Sequence, residues 1–197
     1  MSTSPQPGQL VVISGPSGAG KSTVVRELLA ACSAPLVMSV SATTRRPRPG
    51  EIDHVHYHFL TPAEFEQRRE RGEFLECKEV FGHGDWYGTL QSPVAAGLAA
   101  GKWVLLEIDV EGALAVLPTY PQAITIFLHS GSLEELERRL RQRNTETEAS
   151  LARRLEVARR ELTCLGQYRH QVINRDVPQA VREICEILSR HGDQLND

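Results

Sequence analysis

Apolar residues fall in short runs along this chain, and stretches of helical character separate most of them. Leu10–Ser14 (LVVIS), Leu36–Val40, His54–Phe59, Trp103–Ile108, Ala123–Leu128 and Gln171–Asn174 read as strands. Thr23–Ala31 (TVVRELLAA) reads as the first helix. Later helix starts are punctuated. Thr61-Pro62-Ala63-Glu64 carries an N-cap, Pro at the first helical position and Glu at the third. Ser92-Pro93 opens another helix, which Gly101 ends, and Ser132 with Glu135 and Thr145 with Glu148 form two more capping boxes. Strands separated by helices imply an α/β fold with a parallel sheet and helices on both faces. Ser41–Leu90 departs from this rhythm. It is rich in Arg, His, Glu and Gly with short strand signals, and reads as a small inserted lobe.

Composition narrows the class. The chain has 197 residues, 41% hydrophobic and 24% charged, which suits one soluble domain with lobes. No apolar run reaches the ~18 residues of a membrane span. MSTSPQPGQ lacks a signal-peptide pattern, and residues 1–8 are expected to be a disordered tail. Cys32, Cys77, Cys164 and Cys185 are widely spaced without a CxxC, so reduced thiols in a cytoplasm are expected. A net charge of −3 argues against bulk binding to nucleic acid or an anionic membrane. The sequence leaves open whether the protein is a monomer or a homo-oligomer.

Between the first strand and first helix stands GPSGAGKS, residues 15–22. Gly15, Gly18 and Gly20 allow positive φ and a close approach of backbone to ligand. Successive N–H groups then form an anion nest backed by a helix N-terminus. Lys21 supplies a point charge for β and γ phosphates, and the Ser22 hydroxyl is placed to ligate Mg²⁺. Every fixed position of G-x-x-x-x-G-K-[ST] is met. The expected nucleotide contacts are Gly15, Pro16, Ser17, Gly18, Ala19, Gly20, Lys21, Ser22 and Thr23. The inserted lobe opens with a second cationic stretch, SVSATTRRPRPGE. There Pro47 and Pro49 stiffen the chain around Arg45, Arg46 and Arg48, and fixed guanidinium groups suit bidentate phosphate recognition. Asp109 ends an apolar strand, where a carboxylate sits at the crevice beyond the sheet's carboxyl edge.

With SGPSGAGKST and SVSATTRRPRPGE, the segments HYHF, GEFLE, WYGT, LEIDVEGA, RLRQRNTETEASLARRL and VINRD make the chain resemble the guanylate kinases, from about Gly8 to His191. That resemblance implies a P-loop nucleoside monophosphate kinase in which ATP, with Mg²⁺, phosphorylates GMP, and dGMP as well. It implies a parallel-sheet core (9–40, 92–130 and 166–191), a GMP-binding lobe (41–91) and a mobile helical lid (131–165). Arg45 and Arg48 fall on the arginines for the GMP phosphate, with Tyr57 and Tyr87 donating hydroxyls to it. Ser41, Glu76, Thr89 and Asp109 fall on the guanine-reading positions. The chemistry suits guanine, whose N1–H and N2–H₂ donate, whereas a carboxylate only accepts. Arg139, Arg143 and Arg154 fall on the lid arginines, which with Lys21 and Arg45 form the catalytic set. Waters on the Mg²⁺ are expected near Glu107 and Asp109. The chain departs from the family's pattern at Asn144, where Gly is common, and in a longer loop, GHGDWYGT, at residues 82–89.

Weaker signals point elsewhere. Ser132–Glu161 holds eight arginines and seven glutamates, which also suits a solvated helical hairpin laced with ion pairs. His54, His56 and His58 alternate along a predicted strand and would share one face; such a row is more often polar strand surface than a metal site. Two rival functions stand beside the kinase. One is a binding module that keeps the fold without the chemistry, against which the intact Lys21 and Ser22 speak. The other is a P-loop kinase for another phosphorylated acceptor, which would not require both Glu76 and Asp109.

Overall fold

Alternate residues of the first apolar run face opposite sides of one sheet. A computed structural model of the chain describes residues 8–80, 84–142 and 148–194. In chain order the elements are β1 (Gln9–Ser14), α1 (Lys21–Ala31), β2 (Leu36–Met38), β3 (Ala42–Thr43), β4 (His58–Phe59), α2 (Pro62–Glu70), β5 (Phe74–Val80) and β6 (Asp85–Leu90). They continue with α3 (Gln91–Ala99), β7 (Trp103–Glu107), α4 (Val110–Val116), β8 (Ile124–His129), α5 (Leu133–Gln142), α6 (Glu148–Leu162), β9 (His170–Ile173) and α7 (Val177–Gln194). The main sheet has the order β2-β7-β1-β8-β9, and every pairing is parallel. Val11 and Ile13 pack with Val24, Leu28 and Ile184 from α1 and α7. Leu10 and Val12 join Val94, Val110 and Val116 of α3 and α4 on the other face. A strand covered on both faces can be apolar throughout, which is why β1 and β7 read as continuous hydrophobic runs. The chain leaves β1 on one side to reach β7 and later returns on the other to β8. The carboxyl end of β1 therefore lies at a switch in strand order, where open α/β sheets form their ligand crevice.

Residues 42–90 build a second, four-stranded sheet of order β4-β3-β6-β5. Its small core gathers Ala42, Phe65 and Leu90 with Phe74 and Trp86, and the Phe65 and Phe74 rings stack at 4.4 Å. Thr61 caps α2 as its sequence requires: its hydroxyl accepts from the Glu64 N–H, and the Glu64 carboxylate accepts from the Thr61 N–H. The hairpin of α5 and α6 has its own core of Leu136, Leu140, Leu151, Leu155 and Ala158. Leu136 and Leu140 also cover Gly18, where an added Cβ would come within 2.8 Å of the Leu140 side chain. The predicted lid thus rests directly on the glycine-rich loop.

Several expectations are corrected. His54–Phe59 is not one strand; only His58 and Phe59 form one, as β4, while Tyr57 makes an isolated bridge to Asp53. Asp53 accepts from the N–H groups of His54 and Phe59, and His54 takes φ 62°, so residues 52–57 close into a turn. The three histidines consequently share no strand face: His54 and His58 meet through their Nδ1 atoms at 2.8 Å, while His56 Nδ1 accepts from the Ile52 N–H. Asp85–Gly88, read as loop, is strand. Helix α3 begins at Gln91, one residue before Ser92, and α1 begins at Lys21 rather than Thr23. Ser132 accepts from the Glu135 N–H, while the Glu135 carboxylate goes to Arg138 and Arg139 instead of closing a box. Helices α4 and α7 lack Ser or Thr starts; Asp109 and Asp176 cap them by accepting from the Gly112 and Gln179 N–H groups. Residues 1–7 of the expected tail at 1–8, the Thr145 cap and the Asn144 turn lie outside the described residues.

Candidate functional site

The loop after β1 has the backbone its glycines predict. Gly15, Gly18 and Gly20 have φ of 139°, 94° and 90°. An added Cβ at Gly15 would lie 2.0 Å from the Leu128 carbonyl oxygen, so only glycine lets the loop leave the sheet there. Asn174 Nδ2 pins the loop by donating to the Ala19 carbonyl at 2.8 Å. Lys21 opens α1, and its Nζ curls back to donate to the carbonyls of Gly15 (2.6 Å) and Pro16 (3.2 Å). Burial lowers the Lys21 pKa, while Glu107, Glu161 and Asp109 oppose that shift. Ser22 Oγ donates to Glu107 Oε1 at 2.5 Å, joining the start of α1 to the end of β7. Pro16 and Ala19 are buried, and Thr23 faces solvent on the first turn of α1. From α6, Arg154 reaches the same loop and donates to Ser17 Oγ at 2.6 Å.

The second cationic stretch is also organised. Arg45 makes a bidentate pair with Glu51 at 2.9 and 3.0 Å, and its Nε donates to the Tyr87 hydroxyl at 3.0 Å. Its guanidinium lies 5.4 Å from the centroid of the Tyr57 ring. Hydrogen bonding to Arg45 holds the Glu51 pKa at about 2, so the pair is ionised throughout the physiological range. The Arg48 N–H also donates to Glu51, and the Arg48 residue is exposed. Glu51, merely the last letter of a motif in the sequence, is the hub of this cluster.

A third group lies where β5 and β6 meet the end of β7. Glu76 pairs in register with Thr89, whose hydroxyl donates to Glu76 Oε1 at 2.6 Å. Glu76 Oε2 abuts Gly112, where a Cβ would come within 2.9 Å of it. Burial raises the Glu76 pKa, opposed by the Thr89 hydrogen bond; nearby Asp109 raises it further and Lys78 lowers it. Asp109 accepts from the Gly112 N–H at 2.8 Å and pairs with Lys78, which also meets Glu111 at 2.9 Å.

These groups converge on one cleft of about 540 Å³, lined by Gly15, Lys21, Ser41, Tyr57, Glu76 and Asp109 among others. Tyr87, Ser17, Glu107 and Arg154 also line it; Arg45, Arg48, Thr89 and Arg139 do not. Thr89 stands behind Glu76, and Arg45 is reached through Tyr87. Arg139 is tied to Glu135 at 2.6 Å and to the Asn174 carbonyl at 2.7 Å, beside the loop rather than in the cleft. Arg143 lies outside the described residues. Lys78 and Glu161 are among the cleft residues that escaped sequence reasoning. Lys78 stands two positions after Glu76 on a strand and therefore shares its face, a signal that needed β5 to be recognised. Glu161 carried no signal at all. Burial pushes its pKa up to about 7, and its Oε2 has no hydrogen-bond partner among the described residues.

A parallel sheet, a glycine-rich phosphate loop at its switch point and a cleft closed by a lobe and a helical hairpin define a P-loop kinase. Comparison with known proteins narrows the class. The family profile described as Guanylate kinase matches residues 7–191, and the chain belongs to the guanylate kinase family. It is 61% identical over 184 residues to a guanylate kinase of Rhodopirellula baltica, covering 92% of this chain and 88% of that one. It is 47% identical to a guanylate kinase of Mycobacterium bovis, covering 92% and 86%. The crystal structure of guanylate kinase from Anaplasma phagocytophilum superposes with a TM-score of 0.76 at 30% identity, covering 94% of this chain and 87% of that one. No described helix is long and apolar enough to cross a membrane.

Proposed function

We propose that this protein transfers the terminal phosphoryl group of ATP to GMP, giving ADP and GDP. One observation carries the reading: Glu76, backed by Thr89, and Asp109 open into the same cleft as Lys21 and the phosphate loop. Acceptors that match guanine thus face a site built for polyphosphate.

ATP sits with its phosphates on the N–H groups of residues 15–23. Lys21 exchanges its carbonyl contacts for β and γ oxygens. GMP sits in the lobe of residues 41–91, its base donors on Glu76 and Asp109 and its other edge on Ser41 and Thr89. Its phosphate is met by the hydroxyls of Tyr57 and Tyr87 and by Arg45 and Arg48. The bidentate Glu51 partner pre-aims the Arg45 guanidinium at low side-chain entropy cost. The acceptor phosphate is already ionised, so no catalytic base is required. The protein's task is to hold two anions in line and to neutralise the migrating group. Arg154, already at Ser17, is the best-placed lid arginine. Arg139 and Arg143 complete the set when the hairpin of residues 131–165 closes over the loop.

Mg²⁺ fits the donors present. Ser22 Oγ and Glu107 Oε1 lie together at the mouth of the loop, and both are hard oxygen ligands of the kind this cation selects, with Asp109 able to hold a metal-bound water. When bound, Mg²⁺ supplies charge neutralisation at the β and γ phosphates. None of the assigned contacts goes to the 2′ position, so dGMP should serve as a second acceptor. Four free cysteines suit a reducing compartment, the cytoplasm.

A coupled assay of ADP release tests the reading, run with GMP, dGMP, AMP, UMP and no acceptor. ADP should appear with GMP and dGMP alone; equal rates with AMP, or without acceptor, would overturn it.

A further inference from the structure

The cleft poses an electrostatic problem that Lys78 answers. Glu76, Glu107, Asp109, Glu111 and Glu161 all line it, although its proposed ligands are anions. The crowding is tightest at the base end. Glu76 Oε2 and Asp109 Oδ1 abut the same glycine: a Cβ on Gly112 would lie 2.9 Å from one and 3.3 Å from the other. The two carboxylates repel, and Asp109 adds to the burial that disfavours ionisation of Glu76. The cation that offsets them is Lys78, and among the described residues it is the only lysine or arginine of the small lobe that lines the cleft.

Its contacts are specific. Lys78 Nζ pairs with Asp109 Oδ2 and, at 2.9 Å, with Glu111, while Asp109 Oδ1 accepts from the Gly112 N–H at 2.8 Å. Both oxygens of Asp109 are therefore held, from opposite ends, and the plane of the carboxylate is set. A carboxylate oxygen carries two lone pairs, so each oxygen keeps acceptor capacity for a ligand. Without Lys78, only the Gly112 bond would restrain the Asp109 carboxylate among the described residues. The carboxylate could then swing about its last side-chain torsion, a broad and shallow one.

We propose that Lys78 is a specificity-determining positioning residue: it fixes the Asp109 carboxylate so that Asp109 and Glu76 together face the N1–H and 2-amino donors of guanine. The inference rests on the GMP-kinase reading above. It also predicts which nucleotide should notice the loss of Lys78. IMP carries the same ribose, phosphate, 6-oxo group and N1–H as GMP and lacks only the 2-amino group. An acceptor lost from the 2-amino position matters for GMP and hardly for IMP.

Calorimetric titration of GMP and IMP into the wild-type protein, Lys78→Met and Lys78→Arg reads this directly, with kcat and KM measured alongside. Lys78→Met should weaken GMP by roughly tenfold to a hundredfold, the loss of one charge-assisted hydrogen bond. IMP should weaken by less than about threefold on the same argument. KM for GMP should rise more than kcat falls, and Lys78→Arg should recover most of the preference. In an Asp109→Asn background, Lys78→Met should no longer change the GMP-to-IMP ratio, because the lysine acts through that carboxylate. Equal weakening of both nucleotides would mark Lys78 as a general counter-charge and overturn the proposal, as would an unchanged GMP affinity. Failure of the kinase reading would look different: the wild-type protein itself would show no GMP-dependent ADP release, whatever Lys78 does to binding.

Discussion

Replacing Glu76 by Gln changes one atom at the point where the proposed acceptor is read. The side chain is held on both sides, by the Thr89 hydroxyl at 2.6 Å on Oε1 and by Gly112 against Oε2, so glutamine should occupy the same space. If the Thr89 donor keeps an oxygen partner, the new NH₂ group falls at Oε2, the atom left to face the base. Guanine N1–H and N2–H₂ would then meet a donor. One or two charge-assisted hydrogen bonds are lost, each worth ~1.5–3 kcal/mol. At about 1.4 kcal/mol per decade, kcat/KM for GMP should fall by roughly one to four powers of ten. AMP, whose N1 is an acceptor, should lose far less. The fold should not suffer, because burial raises the Glu76 pKa and the folded protein carries the cost of ionising it. A neutral isostere removes that cost, so the melting temperature at pH 8 should hold or rise. Steady-state kcat/KM for GMP and AMP in both proteins, with melting curves beside them, decides the matter. A GMP-to-AMP ratio unchanged by the substitution would refute the assignment of Glu76 to the base.

Lys21→Ala should abolish ADP formation yet leave GMP affinity within about threefold in calorimetry, since the two anion sites use different residues; parallel loss of GMP binding would remove the two-site division. Arg154→Ala should lower kcat by about 10²-fold or more while raising the GMP KM far less, because its contacts strengthen as the phosphoryl group migrates; a wild-type kcat would return Arg154 to the ordinary ion-pair residues. Glu161→Gln should stabilise the protein in alkaline but not in acid solution. With a folded pKa of about 7 above an unfolded value near 4.5, Glu161 costs nothing below pH 4.5, and its full ionisation cost is present only above pH 7. Partial solvent access at the cleft reduces the gain to about 1–2 kcal/mol at pH 8, visible as a melting temperature that diverges from wild type as pH rises.

The features that sequence alone determined are those whose physics is local. Residues 15–22 need positive φ at fixed spacing before a helix, and glycine at 15, 18 and 20 meets that need wherever the chain folds. Thr61 caps its helix with a partner three residues away. The central strands β1, β7 and β8 are legible because each is covered on both faces, so their neighbours hardly alter the pattern. Family motifs then carried Glu76, Asp109 and Arg154 to assigned positions. What tertiary structure decided is the company those residues keep. Ser17 meets Arg154 across 137 positions, and Lys78 meets Glu111 across 33. The arginine- and glutamate-rich segment 132–161 reads the same whether a charge faces water or the cleft. Only packing separates exposed Arg138, paired along its own helix, from Arg154 on the loop and Glu161 in the cleft wall. The histidine turn failed as a predicted strand for the converse reason. Alternation suggested an extended chain, but the Asp53 side chain supplied the hydrogen bonds that β pairing would have made, and the backbone followed the stronger local partner.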